Sequence, residues 1–363
     1  MKRAVLLSVV FLSSCNCGVP VEPDSGAPDA SIEDAGAEAD GGFDAGTVDA
    51  GFDAGFDAGQ DAGFDAGQDA GFDAGQDAGF DAGVDAGRPD AGGGGCPVPS
   101  GVGPPFRLRV MAANLTSGNG QSYDPGNGAR IMQGADPDLV MIQEFNYAAR
   151  TPADIGGFVA ATFDGGFAWY RGAGNIPNGV ISRWPILAQG EWNGESPDRN
   201  LTWSHVDLPG PNDLWVVSVH LPTASATSRD TDARTIISQL NALVPRGDYV
   251  VIGGDLNTNS RGEACFTTLA ARFVTSGPYP VDQSGNGDTN ASRSKPYDNV
   301  FASPCLARLQ RPTVVGTSTF DAGLVIDTRD YVPLTDLAPA LQSDSASTNM
   351  QHMGVVRDFV IQP

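Results

Sequence analysis

From Asp44 to Gly92 the triplet Asp-Ala-Gly recurs twelve times, mostly at a spacing of four, as in FDAGFDAGQDAG. This run constrains the chain more than any other stretch. Glycine, alanine and one sign of charge bury too little apolar surface to offset the entropy of ordering the backbone. The segment is therefore expected to be a disordered, self-repelling linker, about 50 Å in root-mean-square span over about 78 residues. Evenly spaced aspartates also suggest calcium. A calcium loop, however, folds about six to eight oxygens around one ion and closes on a bidentate carboxylate. A plain four-residue period provides no such closure.

The linker explains most of the acidity. Of the formal net charge of -23, residues 1–95 hold 19 of the 44 acids and only 3 of the 21 bases. The rest, about 268 residues, holds 25 acids and 18 bases. It is long enough for one large domain with a substantial core. The chain starts MKRAVLLSVVFLSSC. Lys2 and Arg3 precede a stretch of nine residues, Ala4 to Leu12, apolar but for Ser8 and far shorter than the ~20 that cross a membrane as a helix. LSSC resembles a bacterial lipobox, in which the cysteine becomes the lipidated first residue; the alternative is an ordinary cleaved signal peptide. The expected division is a lipoprotein signal peptide over 1–15, a disordered Asp-Ala-Gly tether over 16–105 and a folded domain over 106–363. A lipid on Cys15 would make the membrane a partner. Asn16, rather than Asp, follows it, which points to the outer membrane or cell surface. Export permits disulfides, and Cys265 with Cys305, both in the folded part, is the expected pair.

Within the domain, short Val-, Ile- and aromatic-rich runs read as buried strands, and each carries a polar residue at or beside an end. RLRVMAANL (107–115) reaches Asn114. DLVMIQE (138–144) closes on Glu144. LWVVSVHL (214–221) carries His220, and DYVVIGGDLN (248–257) ends in Asp255 and Asn257. YDNVFAS (297–303) opens with Asp298, and GVVRDFVI (354–361) follows His352. Two helices are expected. One is N-capped by Ser228 and ended by Pro245; the other begins at a capping box, SRGE (260–263). Singly, these polar residues are weak signals: a Glu that ends a strand is usually solvated, and Gly-Asp-Leu-Asn is usually a turn. Together they place carboxylates, amides and two imidazoles on one rim of a sheet. Such a rim suits a divalent metal with hard oxygen ligands and a phosphate ester. Imidazoles and amides would donate to its non-bridging oxygens, and a carboxylate would handle the attacking water.

The order of these motifs resembles the endonuclease/exonuclease/phosphatase superfamily over residues 106 to 363. Its members include deoxyribonucleases, abasic-site endonucleases, bacterial sphingomyelinases and inositol-polyphosphate phosphatases. The resemblance implies an α/β four-layer sandwich of two packed mixed β-sheets flanked by helices. MAANL and DPDLVMIQEF imply Asn114 and Glu144 at a metal, Mg2+ or Mn2+, with Ca2+ a third candidate. NGVISRWPI suggests a substrate-side role for Asn178. VVSVHL implies His220 as a phosphate or transition-state ligand. VVIGGDLNT, the most specific match, implies Asp255 positioning the nucleophilic water and Asn257 orienting the phosphate. KPYDNVF implies Asp298 orienting the final histidine, His352. The family's closing Ser-Asp-His reads Met-Gln-His here, so Gln351 stands where a carboxylate is usual. Asp344 is the candidate substitute, and the flanking methionines are expected to pack beneath the rim.

Among its bases the domain has 17 Arg and a single Lys. Arg is the better bidentate phosphate partner. Arg293 and Lys295, just before Asp298, are candidates to reach a substrate phosphate or are solvated loop charges. The expectation is a monomeric, surface-anchored, metal-dependent phosphodiesterase acting as an extracellular nuclease on DNA or RNA. Its alternatives are a phospholipid or sugar-phosphate phosphoesterase and a non-catalytic surface-binding lipoprotein.

Overall fold

A computed structural model describes residues 95–98, 101 and 103–363. The expected signal peptide and lipobox and nearly all of the expected tether lie outside the described residues. The strands are β1 (Phe106–Ala113), β2 (Leu139–Ile142), β3 (Ala168–Arg171), β4 (Gly179–Ser182), β5 (Ile186–Trp192), β6 (Leu201–Val206) and β7 (Leu214–His220). They continue as β8 (Tyr249–Asp255), β9 (Asp298–Ala302), β10 (Gln310–Arg311), β11 (Thr313–Val315), β12 (Ser318–Phe320), β13 (Leu324–Ile326) and β14 (Gly354–Ile361). The helices are α1 (Asn127–Ala135), α2 (Pro152–Thr162), α3 (Ala226–Leu243), α4 (Ala264–Leu269) and α5 (Pro304–Ala307).

Two mixed sheets result. One runs β10-β14-β1-β2-β4-β3, with β13 also on β14; the other runs β5-β6-β7-β8-β9. Successive side chains of a strand point to opposite faces, and the strands use both faces. On β1, Val110 and Ala112 join the core between the sheets, together with Met141, Val216 and Val251. Met111 and Ala113 face the other way, into a cluster with Ile131 of α1 and Phe158 of α2. On the second sheet Val217, Val250 and Ile252 pack against Ile236 and Leu240 of α3 and Phe266 of α4. Both faces of each sheet are therefore apolar, which is why the runs lack clean alternation. The outcome is helix, sheet, sheet, helix: the four-layer sandwich.

The sheets are also tied by polar groups. Gln143, fully buried just past β2, donates to Ser218 Oγ of β7 at 3.0 Å, and that hydroxyl donates to Ile142 O at 3.2 Å. These bonds fix the rim of one sheet against the rim of the other. Close approach at this point explains the Gly-Gly of β8. A Cβ at Gly253 would meet Met141 and Asn299 O, and one at Gly254 would meet Val219 O in a backbone with φ of 131°.

Two sequence expectations are corrected here. Cys305 is bonded to Cys96, not to Cys265. Cys265 sits on the buried face of α4 in the apolar cluster with Phe266 and Phe301 and is a free thiol. Burial pushes that thiol up to about 12, so it is inert at neutral pH. The helix starts also differ. The N-cap of α3 is Ser225, whose hydroxyl accepts from Ser228 N at 3.0 Å. At α4 no capping box forms, because Glu263 instead takes both arms of Arg229, at 2.8 and 2.9 Å.

Candidate active site

Strand register assembles the first half of the site. His220, at the end of β7, pairs with Asp255 of β8, which pairs with Asp298 of β9. Three adjacent strands thus present an imidazole and two carboxylates in one row. The other sheet supplies Asn114, the residue after β1, and Glu144, two residues beyond β2. Glu144 and Asn257 both hold left-handed backbone, each with φ of 51°. This conformation costs roughly 1–3 kcal/mol in a non-glycine residue and clusters at sites where the surroundings enforce it. His352 enters from the loop before β14, through a bridge to Asn290.

The side chains form one network. Asn114 Nδ2 lies 3.4 Å from Glu144 Oε1 and 3.2 Å from Asp255 Oδ2. Asp255 Oδ1 accepts from Asn257 N at 2.8 Å, and Asn257 Nδ2 reaches Leu221 O at 2.9 Å. His220 Nε2 lies 3.1 Å from Asp255 Oδ2. His352 Nδ1 is 3.0 Å from Asp298 Oδ2, and its Nε2 is 3.5 Å from Asp255 Oδ2. All of these groups except Asn257, which is half-buried, are buried.

That geometry sets the charges. Burial alone would lower His352, but the carboxylates of Asp298 and Asp255 outweigh it and raise the ring to about 10. Burial works to raise Asp255, yet both histidines and the Asn257 N–H pull it down to about 2. Burial wins at Asp298, which is raised against the pull of His352. The His352–Asp298 pair is thus an imidazolium beside its orienting carboxylate.

Which atoms suit a metal follows from this. Ligand atoms of Asp255, Asp298 and His352 lie within 4.8 Å of one another. A protonated imidazole has no lone pair to give, so that cluster reads as a charge network. Asn114 Oδ1 is different: it is a buried acceptor with no partner. It stands beside the Glu144 carboxylate, which Thr116 Oγ1 and Gln121 Nε2 hold at 2.5 and 3.1 Å. An orphaned amide oxygen next to a fixed carboxylate suits a hard divalent cation.

Not every expected residue joins the rim. Arg293 is corrected: its guanidinium bonds Asp327 at 2.7 Å, Asp282 at 2.6 Å and the carbonyl of Asp288 at 2.7 Å. Those bonds lock the loop before Asp298 and leave no free edge for a phosphate. Asp344 is corrected too. It binds Arg130 and Asn127 of α1, at 2.5 and 2.9 Å, and does not replace a carboxylate at position 351. Gln351 is exposed and lines, with Thr116, Asn119, Gln121 and Asn349, a cavity of about 330 Å³ beside Glu144. Asn178 is wholly buried and donates to Asn200 O at 2.6 Å, so it reaches the site only through the loop it holds. Lys295 lies over the ring of Tyr297, 5.8 Å from its centroid, and that ring is 5.7 Å from His352. Met350 and Met353 pack into the cores on either side of the first sheet.

Sequence reasoning missed Thr116, Gln121 and Arg199. Arg199 Nη1 touches His220 Nε2. In the sequence it sits in PDRNL, an ordinary loop string with no spacing that marks it.

A two-sheet sandwich with acids, amides and imidazoles at its strand ends is the fold of a phosphoesterase. The model of the Endonuclease/Exonuclease/phosphatase family matches residues 120–323, more than half of the chain. The chain belongs to that family, whose members are hydrolytic and typically need a divalent metal. Among solved structures it is similar to an endonuclease/exonuclease/phosphatase from Beutenbergia cavernae, with 20% identity over 70% of this chain and 72% of that one, at a TM-score of 0.47. It is similar to a functionally unknown conserved protein from Enterococcus faecalis, with 12% identity over 70% and 100%, at 0.49. A mannosyl-6-phosphatase from Bacteroides thetaiotaomicron shows 14% identity over 70% and 99%, at 0.45. The comparison with curated proteins returns no match.

Proposed function

We propose that the chain is a divalent-metal-dependent phosphodiesterase, tethered to the cell envelope through a lipid on Cys15, that hydrolyses extracellular DNA or RNA. The single observation that carries the chemistry is the rim network, in which Asn114, Glu144, His220, Asp255, Asn257, Asp298 and His352 meet at the strand ends. Asn114 Oδ1 and Glu144 would hold Mg2+ or Mn2+, which when bound supplies a Lewis acid for the phosphoryl and leaving oxygens. Asp255, held low, stays ionised at neutral pH. It can orient an attacking water. His352 carries its positive charge into the site and donates to a non-bridging oxygen as charge builds there. Asp298 fixes that ring from behind, and Asn257 holds Asp255 in place. The anchor and the envelope location rest on LSSC and on the Asp-Ala-Gly tether.

A second reading, a phosphoesterase for sugar phosphates or phospholipids, has one observation in its favour. The cavity beside Glu144 is lined by neutral amides, glycines and one threonine and by no charged side chain, where a nucleic-acid track is usually basic.

The test is degradation of plasmid DNA and RNA, and phosphate release from glucose 6-phosphate and phosphatidylinositol phosphates, with and without Mg2+. Wild-type protein is compared with Glu144→Ala and Asp255→Ala. Loss of at least about 10²-fold in both variants supports the site. Full activity in either variant ends the assignment, and phosphate release without strand cleavage moves it to the second reading.

A further inference from the structure

The rim carries two imidazoles and three carboxylates, yet the substrate brings more negative charge. Arg199 is the only Arg or Lys side chain bonded to any rim residue among the described residues. We propose that Arg199, held on the loop before β6, is the cationic contact for the substrate's phosphate, donating to a non-bridging oxygen beside His220. The proposal rests on the phosphoesterase reading of this site and adds to it a residue that no motif marks.

Three observations lead there. First, Arg199 is badly served by its neighbours. Its Nη1 lies against His220 Nε2, the same nitrogen that faces Asp255 Oδ2 at 3.1 Å. One ring nitrogen cannot accept from Arg199 and donate to Asp255 at once. Arg199 Nε is buried with no hydrogen-bond partner; Asp198 Oδ1 lies 3.4 Å away, outside bonding geometry. His220 Nδ1 is likewise buried and unpartnered. Donors without acceptors, crowded on one nitrogen, suit an anionic oxygen as their partner.

Second, the loop is built to hold the guanidinium. Arg199 bridges Gly174, and Asp198 O accepts from Asn175 N at 3.0 Å and Ile176 N at 3.3 Å. A Cβ at Gly174 would collide with Asp198 O, so the β3–β4 and β5–β6 loops run in close contact. Asn178 fixes Asn200 O from below, and Asp232 of α3 accepts from Glu195 N at 2.8 Å. Arg199 itself is mostly buried, with 10% of its side chain exposed. A preorganised donor loses little on binding and is effective against charge that develops at the phosphate.

Third, the other guanidinium groups near the site are committed, and Lys295 lies over Tyr297 and bonds no rim residue. Arg171 bonds Phe145 O at 2.6 Å and Asn146 at 2.9 Å, and Arg293 is clamped by two aspartates. The fork of a guanidinium also matches a phosphate's paired oxygens better than an ammonium does.

The experiment uses the full chain with Mg2+ and bis(4-nitrophenyl) phosphate, and inorganic phosphate as the binding probe. Arg199→Ala is expected to lower kcat/KM by about 10²-fold and to weaken phosphate binding by about tenfold, with the melting temperature unchanged. Arg199→Lys should recover part of the loss. Added guanidinium chloride at tens of millimolar should raise the activity of Arg199→Ala, where equal sodium chloride does not. The proposal is overturned if Arg199→Ala keeps kcat/KM within about threefold of wild type, or if it loses activity without guanidinium rescue while phosphate affinity holds. If Glu144→Ala and Asp255→Ala keep their activity, the phosphoesterase reading fails first. If they lose it and Arg199→Ala does not, only this inference fails.

Discussion

His352 is charged because two carboxylates from different strands face its two nitrogens. Its value of about 10 stands above the ordinary 6.5. The stabilisation from the charged ring is therefore fully present below about pH 6.5 and is lost as pH rises through 10. Asp298→Asn removes the main partner and should return the ring to about 6.5 or below, which a nuclear magnetic resonance titration of metal-free protein would follow. The same variant should lose about 10²-fold or more in kcat. A wild-type ring that titrates near 6.5 would show that no such pair exists. At this scale the sequence was legible wherever a polar residue closed an apolar run, as at Glu144, His220 and Asp255. It was silent on Thr116, Gln121 and Arg199. They meet the rim through loops whose paths depend on contacts such as Arg199 with Gly174, and no local pattern encodes these. Arg293 misled for the opposite reason: nearness in sequence to Asp298 says nothing of Asp282 and Asp327, which take its guanidinium.

Strands were easier to place than helix ends. Each of those runs was short, rich in Val, Ile or aromatics and bounded, and sheet register then fixed His220, Asp255 and Asp298 side by side. Helix starts depend on single side chains with several possible partners. Glu263 spaced three after Ser260 looks like a capping box, but the buried guanidinium of Arg229 is the stronger claimant on its carboxylate. The side chains of Arg229 and Glu263 are 3% and 9% exposed. Glu263→Ala should then destabilise the fold by about 3–5 kcal/mol, because it strands a buried charge. Ser260→Ala should stay within about 0.5 kcal/mol. Urea unfolding of the two variants separates a cap from an ion pair; equal effects would restore the capping box. Asp232 on α3 makes a second test. Burial raises it to about 6, against the help of Glu195 N. A carboxyl raised in the fold weakens stability as pH climbs from about 4 through 6. Asp232→Asn keeps an acceptor for Glu195 N and should be more stable than wild type above pH 6, by about 1–2 kcal/mol, with the gain fading near pH 4. No pH dependence in the difference would mean that Asp232 is ionised at little cost.

Among the described residues, one disulfide joins the end of the glycine-rich segment to the domain. Cys96 reaches Cys305 on α5 across 209 residues of sequence, and Gly101 N donates to Pro363 O at 3.0 Å. The bond closes residues 96–305 into a loop, with β10 to β14 outside it, and fastens a residue just beyond the repeat run. Pulling on the tether would then load a disulfide instead of peeling β1 from β14, its antiparallel neighbour. Sequence could not choose among the cysteines, because Cys265 and Cys305 both looked domain-bound and Cys96 looked like linker. Only the packing of α4 turns Cys265 inward, away from any partner. Cys305→Ala should therefore cost about 2–4 kcal/mol of stability, and dithiothreitol should cost wild type the same while leaving the variant unmoved. A chain that begins at Phe106 should match Cys305→Ala, since it lacks Cys96. Cys265→Ala should be free of any reductant-linked effect and lose only the packing of one small buried side chain, about 1 kcal/mol. Equal reductant sensitivity in wild type and Cys305→Ala would show that the fold does not depend on this bond.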